Sequence, residues 1–266
     1  MHPIVDCHCH IYPEKIAARA VEGISNFYDG ISLHNNGTVA DMSAAEKDAG
    51  ITHQIIFSVA TTVHQVESIN RFIADEVKSS DGTMTGLAAL HPDSPTLRED
   101  IEQAVALGLK GVKLHPDIQG FKIDDYRCLK IYELCEGRLP ILMHTGDSRY
   151  DFSNPNRLKP ILEIFPKLTV IGAHLGGWSI WEKAADELSR YENLYVDCSS
   201  SLFALTPEKA TELIRKYGAD RVLFGTDYPM WSPKEELKRF FALGLNEEEK
   251  EKILYLNAKK LFGLNI

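Results

Sequence analysis

No apolar run in this chain approaches the ~20 residues that a membrane-spanning helix needs, so no membrane association is expected. Basic residues are in the minority. Lys and Arg number 29 against 38 Asp and Glu, a formal charge of −9, which argues against nucleic acid as the default partner. Cysteines are few and odd in number. The five sit in strand and helix patterns, which argues against a disulfide framework. A glycine-rich dinucleotide fingerprint is missing, as are low-complexity segments, linkers and any break in composition, so one domain over residues 1–266 is expected. The first predicted strand begins within four residues of the N-terminus, leaving no room for a secretory signal, and a cytoplasmic location follows as the expectation. What remains is ordinary globular material, 44% apolar and 25% charged.

The most informative stretch is Asp6-Cys7-His8-Cys9-His10, which follows Ile4-Val5 and ends before Tyr12-Pro13. It reads as a first strand with His10 at its C-terminal end. Side chains alternate along a strand, so His8 and His10 should share one face and Cys7 and Cys9 the other. Two neutral imidazoles one step apart can hold a single divalent cation.

Seven further strands follow, alternating with helices: 51–59, 84–90, 111–115, 140–144, 168–174, 194–198 and 221–227. Helices are expected over 14–27, 38–48, 64–79, 94–107, 124–135, 156–165, 178–191, 206–217, 233–243 and 247–262, with a Gly- and Asn-rich loop over 28–37. The strands are short and mostly apolar, as when both faces are buried. Eight such units in 266 residues predict an α/β fold, a closed (β/α)8 TIM barrel, which typically takes about 250 residues.

In such a barrel the site lies at the C-terminal strand ends. Here those ends carry His8, His10, His91, His115, His144, His174, Asp197 and Asp227. His91-Pro92 and His115-Pro116 also fit plain turns, because a residue before proline ends a strand. His8, His10, His144 and Asp227 offer three imidazoles and one carboxylate, a suitable set for zinc or a similar ion. His174, between Gly172-Ala173 and Leu175-Gly176-Gly177, is a further ligand or a general acid/base, since an imidazole titrates near neutral pH.

Together Asp6-Cys7-His8-Cys9-His10, Gly111-Val112-Lys113-Leu114-His115-Pro116, Met143-His144-Thr145-Gly146, Gly172-Ala173-His174-Leu175-Gly176-Gly177 and Phe224-Gly225-Thr226-Asp227-Tyr228-Pro229 resemble the amidohydrolase superfamily. The resemblance runs from residue 4 to about 263 and is closest to the branch containing aminocarboxymuconate-semialdehyde decarboxylase. It implies a distorted barrel holding one metal per chain, usually Zn2+, with His8, His10, His144 and Asp227 as ligands. Asp227 would also handle a water proton, and His174 would be the catalytic acid/base. Lys113 is expected as a buried or substrate-facing cation rather than a carboxylated bridge between two metals. His115, Arg149 and Trp178 are expected near a small-molecule substrate. Homodimers are common in that branch. The implied reaction is hydrolysis of a small ester, lactone or amide by metal-activated water, with non-oxidative decarboxylation of a small carboxylic acid as the alternative.

Overall fold

Strands that are apolar at nearly every position must be covered on both faces. The computed structural model, which describes residues 3–266, meets this with nine short parallel segments in chain order: β1 Val5–His10, β2 His53–Phe57, β3 Met84–Gly86, β4 Ala88–Ala89, β5 Val112–Leu114, β6 Ile141–Met143, β7 Val170–Gly172, β8 Leu194–Asp197 and β9 Val222–Leu223. β3 and β4 are one predicted strand interrupted at Leu87, so the eight expected strands are present. The two ladders are stitched there: Leu87 N–H donates to the Ile56 carbonyl and Lys110 N–H to the Gly86 carbonyl, each at 2.9 Å. On the other side Cys7 N–H donates to the Phe224 carbonyl at 2.9 Å and His10 N–H to the Tyr228 carbonyl at 2.7 Å, which returns the sheet to β1. The result is a parallel TIM barrel.

Two apolar layers follow from the alternation of side chains. Val5, Cys7, Ile55, Phe57, Leu87, Leu142, Ile171 and Leu223 fill the barrel, joined by Ala258 and Phe262 of the C-terminal helix. Their sequence neighbours, such as Ile56, Ile141, Met143 and Val170, face outward and pack with helix residues including Ile73, Ile131 and Ile161. The expected alternation fails in β1. The register of β1 against β2 shifts between Asp6 and Cys9, a bulge. Cys7 therefore lies in the inner layer while Cys9 lies in the outer one, and the two cysteines do not share a face. All five cysteines are buried and free.

The helices are α1 Glu14–Phe27, α2 Val39–Ala49, α3 Val66–Ser79, α4 Leu97–Ala106, α5 Pro116–Gln119, α6 Tyr126–Cys135, α7 Pro155–Ile164, α8 Trp181–Leu188, α9 Pro207–Tyr217, α10 Pro233–Phe241, α11 Glu247–Glu251 and α12 Asn257–Phe262. Caps explain several boundaries. Thr38 accepts the Asp41 N–H at the start of α2, and Gly50, at φ 80°, closes it in the left-handed conformation. Several boundaries differ from expectation, and three departures have a visible form. α5 is a four-residue turn hidden behind the His115-Pro116 strand stop, capped by His115 Nδ1 accepting from Ile118 N–H at 3.3 Å. α8 begins at Trp181 rather than Trp178, because the Trp178 backbone exchanges hydrogen bonds of 2.8 Å with Thr145 and Asp147. The last helix is broken by a π-helical turn over Lys252–Leu256. Among the described residues no helix is long and apolar enough to cross a membrane.

Candidate active site

β1 carries His8 and His10 to the C-terminal end of the barrel, with ring centroids 5.3 Å apart. His8 is fully buried, and each ring nitrogen has a defined neighbour. Its Nδ1 faces Asp197 Oδ2 at 2.9 Å, and its Nε2 faces Lys113 Nζ at 3.1 Å. A carboxylate only accepts and an ammonium only donates, so the proton sits on Nδ1 and the lone pair on Nε2. Asp227 Oδ1 lies 3.4 Å from His8 Nε2 and 3.6 Å from His10 Nε2, and its Oδ2 accepts from Ser200 Oγ. These three groups offer ligand atoms that all lie within 4.8 Å of one another. Burial pushes both histidines well below the ordinary imidazole range, with the Lys113 charge as the second cause. Neutral imidazole is the form that binds metal.

β5 points Lys113 into the same space. It is 1% exposed, and its Nζ stands 4.8 Å from the centre of the Phe57 ring. Burial lowers it to about 8, opposed by the charges of Asp227 and Asp197, so it stays mainly protonated at neutral pH.

The chain just after β7 brings in His174 at φ 59°, and the chain after β9 brings in Asp227 at φ 62°. Left-handed backbone at non-glycine residues costs on the order of 1–3 kcal/mol, and such residues cluster at functional sites. His174 Nδ1 donates to the Ser199 carbonyl at 3.0 Å, leaving Nε2 to accept from His144 Nδ1 at 3.1 Å. The His144 lone pair then rests on Nε2. That buried atom has no hydrogen-bond partner and lies 3.5 Å from Asp117 Oδ2. Asp117, held by Ser153 Oγ, is pushed up to about 7 by burial. The His115 ring stacks on the His144 ring with centroids 4.0 Å apart.

The structure thus gathers most of the expected residues and separates others. His8, His10 and Asp227 converge. His144 shares their cavity but groups with His115 and Asp117 rather than with the convergent three. Lys113, His115 and His174 all line the cavity. Arg149 and Trp178 do not. Arg149 donates to both Asp147 oxygens, to Asp29 and to the Phe27 carbonyl, and lies over the rings of Phe27, Tyr28, Tyr150 and Trp178. Its donors are spent fastening the end of α1 to the loop after β6. His91 accepts from Asp93 N–H in a local turn, as its proline predicts.

Three contributions escape sequence reading in part or in whole. Asp197 is visible as a polar strand tip, but its pairing with His8 spans 189 residues. Ser199, which contacts His8, His174 and Asp197, carries no signal at all. Asp117 lies in the unpredicted turn α5.

Two imidazoles held neutral, a carboxylate within reach and an unpartnered buried imidazole nitrogen form a donor set that fits a divalent cation. No curated protein matches the chain. Solved structures do. An uncharacterised TIM-barrel protein from Bordetella bronchiseptica superposes with a TM-score of 0.80 at 24% identity, covering 99% of both chains. A dihydroxybenzoic acid decarboxylase from Polaromonas sp. JS666, solved with bound manganese and the inhibitor 2-nitroresorcinol, gives 0.78 at 20% identity over 100% of this chain and 98% of that one. A candidate 2-pyrone-4,6-dicarboxylic acid hydrolase from Pseudomonas putida gives 0.68 at 18% identity over all of both chains. The amidohydrolase family model matches residues 5–264. The chain therefore belongs to the amidohydrolase family, a class of metal-dependent enzymes of hydrolase or lyase type.

Proposed function

We propose that the protein is a hydrolase of a small ester, lactone or amide. The observation behind this reading is the Asp227 carboxylate, 3.4 and 3.6 Å from two neutral imidazoles and without a Lys or Arg ion-pair partner among the described residues. A carboxylate so placed accepts a proton from water. His8, His10 and Asp227 would hold the metal, with His144 as the fourth donor after reorientation. We assign Zn2+ from the imidazole and carboxylate set, with manganese, bound by the Polaromonas decarboxylase, as the competing ion. When bound, a divalent cation supplies Lewis acidity, polarising a substrate oxygen and lowering the pKa of water to around 7. Asp227 takes the water proton. The proton taken by Asp227 passes to the leaving group, and His174, oriented by Ser199 with its lone pair on Nε2, would relay it by accepting and then releasing it there. Lys113 anchors an acidic group on the substrate, and Phe57 beside it keeps water from the inner wall.

A second reading rests on Lys113. With Arg149 committed elsewhere, Lys113 is the cation buried beside His8, and it suits the carboxylate of a decarboxylase substrate equally well. In that case His174 or Asp227 protonates carbon. The test is elemental mass spectrometry of the purified protein and its His10→Ala variant, followed by screening esters, lactones and aromatic acids. Acid release without CO2 supports hydrolysis, and CO2 release supports the second reading. A protein that neither carries nor takes up metal sinks both.

A further inference from the structure

The cavity over the histidines is larger than a small-ring substrate needs. Its volume is about 820 Å3, towards the upper end of the roughly 300–1,000 Å3 of pockets that bury drug-sized ligands. The imidazoles, Lys113 and Asp227 gather at one end, while Lys15, Arg19, Thr61, Gln65 and Ser68 are interspersed among the apolar side chains of the rest of the lining. From the imidazole end a mainly apolar groove runs outward between two walls. One wall is α1, where Ile16, Ala20, Gly23 and Ile24 fall on a single helix face. The other contains Val59, Ile69 and Phe72 from the β2–α3 region. Asp227 is the sole carboxylate on the lining, whereas Lys15 and Arg19 flank the outer part of α1 and carry no ion pair among the described residues. The groove therefore favours an anion over a cation.

Gly23 is the telling residue. It lies inside a 14-residue helix, where glycine costs about 0.5–1 kcal/mol against alanine. No left-handed backbone requires it, and a Cβ built there meets nothing within 4 Å. Gly23 is exposed and lines the groove with open space in front of it, so a larger side chain there would fill the groove rather than clash.

Building on the proposed chemistry, we infer that the substrate is an acid or acyl compound with an elongated apolar body. Its reacting group sits at the histidine end and its body lies along the α1–α3 groove. Isothermal titration of the zinc-loaded protein with benzoate, 4-butylbenzoate and 4-octylbenzoate tests this without requiring turnover, so it is independent of whether hydrolysis or decarboxylation is found. Each fully buried methylene is worth about fourfold in affinity. We expect at least a tenfold gain from benzoate to 4-butylbenzoate. Gly23→Phe fills the groove from a position with free space, so it should melt no lower than the parent and should abolish the gain. Affinity that is flat along the series, a gain that survives in Gly23→Phe, or no binding of 4-octylbenzoate overturns the inference. A flat series together with a dimer that Gly23→Phe dissociates would assign this face to a second copy of the chain instead.

Discussion

Asp197 grips His8 from across the barrel: its Oδ2 lies 2.9 Å from His8 Nδ1, while its Oδ1 accepts the backbone N–H of His174 at 3.2 Å. One carboxylate thus sets the tautomer of a candidate ligand and the position of the candidate acid/base. Carboxylates behind metal-binding histidines are typically worth 10–100-fold in metal affinity. We expect Asp197→Ala to lose roughly that much zinc affinity in a chelator competition. Leaving buried donors unpaired should also cost about 1–3 kcal/mol in stability. Unchanged zinc retention in a folded Asp197→Ala protein would refute this role.

Gly225 packs directly behind the same histidine. A Cβ at this position would stand 2.9 Å from His8 Cβ and 3.2 Å from Ser199 Cβ. Neither neighbour has room to retreat, since both are fully buried. Gly225→Ala is expected to cost on the order of 1–3 kcal/mol, as overpacked cores do. Its metal binding should weaken beyond what the loss of stability explains. Denaturant unfolding with and without zinc separates the two effects.

Arg149 serves as a clamp. Arg149→Lys keeps the charge but loses the paired contacts to Asp147 and the bond to the Phe27 carbonyl. The expected outcome is a melting temperature lowered by several degrees. The affinity for acidic ligands at the base of the cavity should change by less than twofold. A selective loss of acid binding at unchanged stability would return Arg149 to the substrate.

Glu236 on α10 sets a pH dependence of stability. Its side chain is fully buried beside Arg239, and burial pushes its carboxyl up to about 7 against an ordinary 4.5. The folded state therefore holds this proton more tightly than the unfolded state. Its contribution is fully present below pH 4.5 and is lost as pH rises towards and through 7, by on the order of 3 kcal/mol. Glu236→Gln does not titrate. It should match the parent at pH 4.5 and gain on it steadily up to pH 8, as measured by urea midpoints. A gap that stays constant across this range argues against a raised carboxyl.

Much of the fold was legible because each strand announces its own end. His10, His144 and His174 each end a predicted strand, and Thr206-Pro207 opens a helix that the Thr206 side chain caps by accepting from Lys209 N–H. The gathering of His8, His10 and Asp227 was legible for the same reason, since a closed barrel brings all its strand ends to one rim. The unread features depend on contacts between distant segments. The committed donors of Arg149 are spent on Asp29 and Phe27, about 120 residues away. The orientation of His144 depends on Asp117 and His174, and no local pattern encodes it. The bulge in β1 leaves the residue types of Asp6-Cys7-His8-Cys9-His10 unchanged and alters only which way they point.

That bulge divides β1 into two independently adjustable halves. Below it, Val5 and Cys7 belong to the packing of the barrel interior; beyond it, His8 and His10 belong to the chemistry. A redesign can therefore exchange Cys7 for another small apolar residue without turning either imidazole. Inserting a single residue between Cys9 and His10, by contrast, would put the two imidazoles on opposite faces of the strand. The strand tolerates substitution far better than any change in its length.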